Sequence, residues 1–230
     1  MAGGHRTTIT PLLVGDLLVA EDERLPIFVH LIDHPEGRVL VDSGVTDQHP
    51  ALADMEPRLT PLTEHDLDLT SIDVVVNTHL HADHCGGNHL FAGTPIVVQR
   101  AELEDAMTEQ GYTLREWVQA PGVHYVEVDG DHQLLPGIRL LAAPGHTRGS
   151  QIVVADTEDG PIVIAGDTAV WGGELDEPTT EGQRRILSLD PVAVWLAHAA
   201  DPWRPSRGAH ARADETQDDD GHPRGPAFGA

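Results

Sequence analysis

Asn77-Thr78-His79-Leu80-His81-Ala82-Asp83-His84-Cys85-Gly86-Gly87 gathers three imidazoles and a carboxylate within six residues. His79 and His81 are two apart, so an extended segment points both to the same side. Asp83 and His84 follow in a turn, and the diglycine releases the chain into the next element. A catalytic zinc takes about three protein ligands and keeps one position open for water. Four donors in one turn exceed that share, and the surplus suggests two metals side by side. The plain alternative is a histidine-rich surface loop. It is disfavoured because the donors stand just past the apolar run 72–76, which reads as a buried strand.

The same arrangement recurs downstream. Each of the short apolar runs 138–142, 161–165 and 191–197 reads as a strand, and each ends in a donor: His146 on Pro144-Gly145, Asp167 beside Gly166, and His198. The candidate metal set is therefore His79, His81, Asp83, His84, His146, Asp167 and His198. Such a set suits two metals with one carboxylate shared. His49 and His65 read as solvated surface residues, His124 and His132 as bystanders, and His210 and His222 as part of a tail. Asp42 closes the strand-like run 38–42, where it either fixes a ligand imidazole or caps a turn. Cys85 reads as a small residue packing beneath the donor loop rather than a nucleophile.

These donors need strands to carry them. Runs 27–33 and 38–42 flank a His34-Pro35-Glu36-Gly37 turn, as in a hairpin. Residues 45–70 read as short helices and loop, with Thr63 as a helix N-cap. Further strands are expected over 95–98, 123–128 and 151–155, and helices over 99–110, 112–118 and 181–189. Residues 1–8 look loose. Leu12 to Ala20 is short and broken by Gly15 and Asp16, so neither a signal peptide nor a membrane span is supported. From 204 onward the composition turns to Arg, Asp, Gly and Pro, with Asp218-Asp219-Asp220, which predicts a domain over 1–203 and a disordered acidic tail over 204–230.

With 230 residues the chain can bury a sizeable core. Its formal charge is −24, and all 14 basic residues are arginine. Such acidity argues against nucleic acid and anionic membranes as partners. One cysteine excludes an internal disulfide. The cytoplasm is the expected compartment.

The motif His79-Leu80-His81-Ala82-Asp83-His84 resembles the His-x-His-x-Asp-His signature of the metallo-β-lactamase superfamily. Pro144-Gly145-His146-Thr147, Gly166-Asp167 and His198 follow in that family's order, over residues 9–203. The resemblance implies an α+β fold, an αββα sandwich of two mixed β-sheets flanked by helices, with the metals at the sheet edges. It implies His79, His81 and His146 on one divalent ion, Asp83, His84 and His198 on the other, and Asp167 bridging. Zinc is the expected ion, and manganese, iron or cobalt suits the same donors. Within the superfamily the chain is most similar to N-acyl homoserine lactonases, by its compact length, the Pro-Gly-His-Thr turn and Gly86-Gly87-Asn88. The implied activity is hydrolysis of an ester-like bond, a lactone first, in a small-molecule substrate. Asp83 would also pass a proton to the leaving group. Those lactonases often carry a tyrosine three residues after the bridging aspartate. Here Val170 stands there, followed by Trp171, and neither Tyr112 nor Tyr125 is assignable as its substitute from sequence. The alternatives are a thioesterase, a β-lactamase-like amidase, and a mononuclear iron persulfide dioxygenase using His79, His146 and Asp167. The thioesterases' helical C-terminal extension has no counterpart after His198. The sequence sets no oligomeric state.

Overall fold

The computed structural model describes residues 7–206. Seven strands form the first sheet: β1 (Thr8–Ala20), β2 (Glu23–His34), β3 (Gly37–Val41), β4 (Arg58–Leu59), β5 (Val74–Val76), β6 (Pro95–Gln99) and β7 (His124–Val128), in the order β4-β1-β2-β3-β5-β6-β7. The strands from β4 to β3 are antiparallel, and β3, β5, β6 and β7 run parallel. The second sheet has β8 (His132–Leu135), β9 (Ile138–Ala142), β10 (Gln151–Thr157), β11 (Gly160–Ile164) and β12 (Ala193–Trp195), in the order β12-β11-β10-β9-β8. Only the β11–β12 pair is parallel.

Period-two alternation explains how the sheets stack. Ile32, Val39, Val41, Val76 and Val97 point inward and meet Ile138, Leu140, Val153, Ala155 and Ile164 of the other sheet. The intervening residues of the same strands face outward. Val29, Leu31, Leu40, Val75 and Ile96 pack under loops and short helical turns. Leu141, Ile152, Val154 and Val163 pack against Leu175 and Ile186. The last two lie on α4 (Gly173–Asp176) and α5 (Glu181–Ser188). Both faces of each sheet are thus covered, which is why several strands read as unbroken apolar runs rather than alternating ones. The expected αββα layering of two mixed sheets is the observed one.

Most expected elements are present. The β2–β3 hairpin turns at Pro35-Glu36, and 45–70 holds three 3-10 turns plus β4. Helix α2 covers Arg100–Thr108, α3 covers Arg115–Val118, and α5 opens with a capping box between Thr180 and Gln183. Four readings need correction. Thr63, expected as a helix N-cap, lies inside the 3-10 turn Leu62–Glu64, which follows Pro61. Thr8, at the end of the stretch expected to be loose, and Leu12 to Ala20, expected to be broken, belong to one long strand whose register shift at Leu13/Gly15 absorbs the interruption. The edge strand β8 was not anticipated. The donor turn after β5 contains a one-turn helix, α1 (Ala82–Cys85). Trp203, at the expected end of the domain, pairs with Val194; of the tail expected from 204, Arg204 donates to Val192 O at 3.2 Å, and the remainder from 207 lies outside the described residues. Among the described residues no helix is long and apolar enough to cross a membrane.

Candidate metal centre

Strands β3 and β5 run parallel in the first sheet. Strand β9 is antiparallel to β10, β10 is antiparallel to β11, and β11 is parallel to β12. It follows that β9, β11 and β12 share one direction, and their C-terminal ends fall at one edge of the second sheet. The two sheets are pinned to each other by main-chain bonds there. The N–H of Gln151 donates to Thr78 O at 2.9 Å, and that of Phe28 to Ala197 O at 2.7 Å. Donors past β5, β9, β11 and β12 therefore converge at one edge of the sandwich.

They converge in two groups, each with its donor atoms within 4.8 Å of one another. In the first, the Nδ1 of His81 lies 3.1 Å from the Nε2 of both His79 and His146. In the second, the Nε2 atoms of His84 and His198 lie 3.2 Å and 3.1 Å from Asp167 Oδ1, and 3.5 Å and 3.7 Å from Asp83 Oδ2. The other oxygen of Asp167, Oδ2, faces the first group, 3.6 Å from His146 Nε2 and 4.0 Å from His79 Nε2. All seven residues anticipated as donors are brought together, and Asp167 stands between the groups. Gly166 brings it there: its φ is +52°, and a Cβ would fall 2.3 Å from the Thr78 hydroxyl oxygen.

The donor set fits divalent cations. Ligands about 2.1 Å from a tetrahedral ion stand about 3.4 Å apart, and the spacings above bracket that value. His84 Nε2 and Asp167 Oδ1 are buried and have no hydrogen-bond partner. The outward ring nitrogens of His79, His84 and His198 are already spoken for. Asp42 accepts from the His84 Nδ1–H at 2.8 Å, and from the N–H and hydroxyl of Thr78 at 2.7 Å and 2.8 Å. Having given its proton to Asp42, the Thr78 hydroxyl accepts from His79 Nδ1 at 3.2 Å. The Nδ1–H of His198 donates to Pro26 O at 2.7 Å. Each of these rings thus turns Nε2 inward. Of its two readings, Asp42 takes the first, a partner to an imidazole. Its φ of +61° places it in the left-handed region.

Electrostatics separate the groups. Burial lowers the pKa of His79, His81 and His146 from the ordinary histidine value, and for His79 the neighbouring His84 adds to the effect. Burial also opposes charge on His84, but Asp167, Asp83 and Asp42 outweigh it and hold the ring well above its usual value. His198 is raised too, Asp167 overcoming its burial. Burial would raise Asp167, yet the surrounding imidazoles hold its carboxyl well below the usual range.

Among the described residues, the remaining histidines stay outside the two groups. His49 pairs with Glu116 at 2.9 Å, His65 meets Leu13 O at 3.0 Å, and His124 and His132 lie exposed in strands. His210 and His222 fall outside the described residues. Cys85 is fully buried, donates to Leu80 O at 3.3 Å, and burial pushes its pKa up to about 12. Both tyrosine hydroxyls are engaged in hydrogen bonds away from the donor groups. Tyr112 lies with its ring 5.1 Å from that of His81 but donates to Glu102, and Tyr125 accepts from Asn88. Sequence reasoning missed Glu102, which sits among Glu104 and Asp105 on α2 with nothing in its spacing to set it apart.

The profile of the metallo-β-lactamase superfamily matches residues 22–220. An N-acyl homoserine lactonase of Bacillus sp is 34% identical over 183 residues, 72% of this chain and 70% of its own length. Another, of Bacillus cereus, is 33% identical over 205 residues, 81% of this chain and 78% of its own. A solved N-acyl homoserine lactone hydrolase, with N-hexanoyl-L-homoserine bound at its catalytic metal center, superposes with a TM-score of 0.70 at 22% identity. The match covers 84% of this chain and 92% of that one, and it shows the shared fold.

Proposed function

The chain belongs to the metallo-β-lactamase superfamily and is a metal-dependent hydrolase, and from that premise we propose that it opens lactones at a dinuclear centre, with N-acyl homoserine lactones as the first substrates to try. One observation carries the reading: two groups of donors share Asp167, one carboxylate oxygen facing each. His79, His81 and His146 would hold one ion, Asp83, His84 and His198 the other, and Asp167 both. Zinc is the proposed ion. Held by these residues, two ions would supply an acidified water near neutral pH and a Lewis acid for a carbonyl oxygen.

The chain's own residues do the rest. Asp42, Thr78 and Pro26 hold the outer ring nitrogens and keep the inner ones directed at the centre. Asp83 is 20% exposed while its imidazole neighbours His84 and His198 are 1% exposed. It is therefore the member of its group that reaches solvent, placed to hand a proton to a leaving alkoxide. Asp83→Asn should lose turnover; a variant that retains full metal and full turnover would remove the shuttle role. The cytoplasm remains the proposed compartment.

The test is purified protein with its metal quantified, given N-hexanoyl homoserine lactone, a thioester and a β-lactam in parallel, with acid release followed at constant pH. Ring opening that stops on chelation and returns with zinc is expected. One iron per chain with oxygen consumption would overturn hydrolysis, and faster turnover of the thioester or β-lactam would overturn the lactone assignment.

A further inference from the structure

Helix α2 lies against both loops that carry the three imidazoles. From its first turn, Glu102 is fully buried and makes three hydrogen bonds. Its Oε1 accepts from the main-chain N–H of Leu80 at 2.8 Å and from the Tyr112 hydroxyl at 2.5 Å. Its Oε2 accepts from the Thr147 hydroxyl at 2.6 Å. Leu80 stands between His79 and His81, and Thr147 follows His146. The two loops are 65 residues apart at His81 and His146, and one side chain ties both.

Two further contacts seat the second loop on the same helix turn. A Cβ on Gly149 would lie 2.2 Å from the main-chain nitrogen of Glu102, so only glycine allows this approach. Arg148 reaches Asp105 at 2.5 Å and Glu104 at 2.9 Å. On the other side, Tyr112 lays its ring 5.1 Å from His81 while its hydroxyl is held by Glu102. Burying a carboxyl group costs free energy that an apolar side chain of similar size would not. What the carboxyl adds in return is the set of bonds to the two loops.

Resting on the dinuclear reading above, we infer that Glu102 is a positioning residue for the three-imidazole half of the centre, fixing the distance between the His79-Leu80-His81 segment and His146. It touches neither ion nor substrate. It acts through Leu80, Thr147 and Tyr112. The group Asp83, His84 and His198 is held by other partners, Asp42 and Pro26, so the effect is confined to one half.

The experiment measures zinc affinity by competition with a chromophoric chelator, in two backgrounds that each disable one half. In His198→Ala, adding Glu102→Ala should weaken the remaining ion by about 10–100-fold, the usual loss for a partner behind the ligands. In His146→Ala, adding it should leave the remaining ion unchanged. Glu102→Gln should restore binding. Its amide oxygen can accept from Leu80 and Tyr112, and its NH2 can donate to Thr147, whose own proton then goes to Ser150, 2.7 Å away. If Glu102→Ala does not fold, Thr147→Val and Tyr112→Phe each cut one tie and should weaken the same ion by less. Equal loss in both backgrounds, no loss in either, or failure of the glutamine to rescue would overturn the inference. A wild-type protein that binds no metal would instead overturn the dinuclear reading.

Discussion

Three imidazoles hang on two loops in one half of the proposed centre, and His146 among them is 28% exposed. In the other half, two imidazoles at 1% exposure face two carboxylates, and a third carboxylate, Asp42, stands behind one ring. The first half is built from neutral donors that burial keeps unprotonated. The second is an ion-paired cluster in which the carboxylates favour protonated rings. The two halves therefore meet a cation differently: one offers bare lone pairs, and the other must first release protons. Their supports differ as well, hydrogen bonds from helix α2 in one case and a strand-end aspartate in the other.

The change that should break the comparison outright is at the residue both halves share. Asp167→Ala removes an oxygen from each group and leaves His84 and His198 without the carboxylate nearest to them. Loss of both ions and of more than about a thousandfold in kcat/KM is expected, since neither half keeps its full donor set. Metal analysis alongside kinetics checks it; a variant retaining one tight ion would show that Asp167 serves a single half.

A smaller, one-sided effect is expected at Asp42. Asp42→Ala frees the Nδ1–H of His84 and leaves the N–H and hydroxyl of Thr78 without their acceptor. The mixed half should lose about 10–100-fold in zinc affinity. Thr78 also holds His79, so a lesser loss in the three-imidazole half is expected through that hydroxyl. Equal losses in both would mean that the two halves are not separately supported.

The halves should also part on pH. Protons compete with the metal, so affinity falls as pH falls wherever a donor must be deprotonated. His84 and His198 are raised, so they carry protons up to a higher pH than an ordinary histidine. His79, His81 and His146 are lowered and have already lost theirs. Between about pH 6 and pH 8, log affinity should climb more steeply with pH for the mixed half, measured in the His146→Ala protein, than for the other half, measured in His198→Ala. Equal slopes would remove the electrostatic distinction between them.

The donors were legible in the sequence because each sits where an apolar strand stops, and three of those sites carry a glycine: Gly86-Gly87 after His84, Gly145 before His146 and Gly166 before Asp167. Asp42 was only half legible, since an aspartate at a strand end is the same symbol whether it caps a turn or holds a ring. Glu102 was not legible at all. On an acidic amphipathic helix the buried glutamate and its exposed neighbour Glu104 differ only in which side of the helix faces the loops, and that is decided by residues 45 positions away. Strand β1 was hidden for a different reason: Gly15 and Asp16 interrupt the apolar pattern, and the register shift that accommodates them leaves Val14 buried all the same. Layering and donor identity are written in local pattern, whereas the supports behind the donors are written in tertiary contacts.

Cys85 offers the mildest test, because it lies in the turn that serves both halves. It follows His84 directly, and its thiol donates to the carbonyl of Leu80, the residue between His79 and His81. Its surroundings are Leu80, Val98, Ala106 and Val118, all buried, and burial pushes its pKa up to about 12, so thiolate is scarce at neutral pH. A thiol in this position is packing, not chemistry. Cys85→Ala removes one small atom from a closed cluster and should cost about 1 kcal/mol of stability, with both ions retained and kcat within about twofold of wild type. Iodoacetamide should leave the folded protein unmodified and label it only in denaturant, as mass spectrometry would read directly. Rapid labelling of the native protein, or loss of one ion in Cys85→Ala, would make the shared turn a softer mount than its burial implies, and would tie the two halves to each other through it.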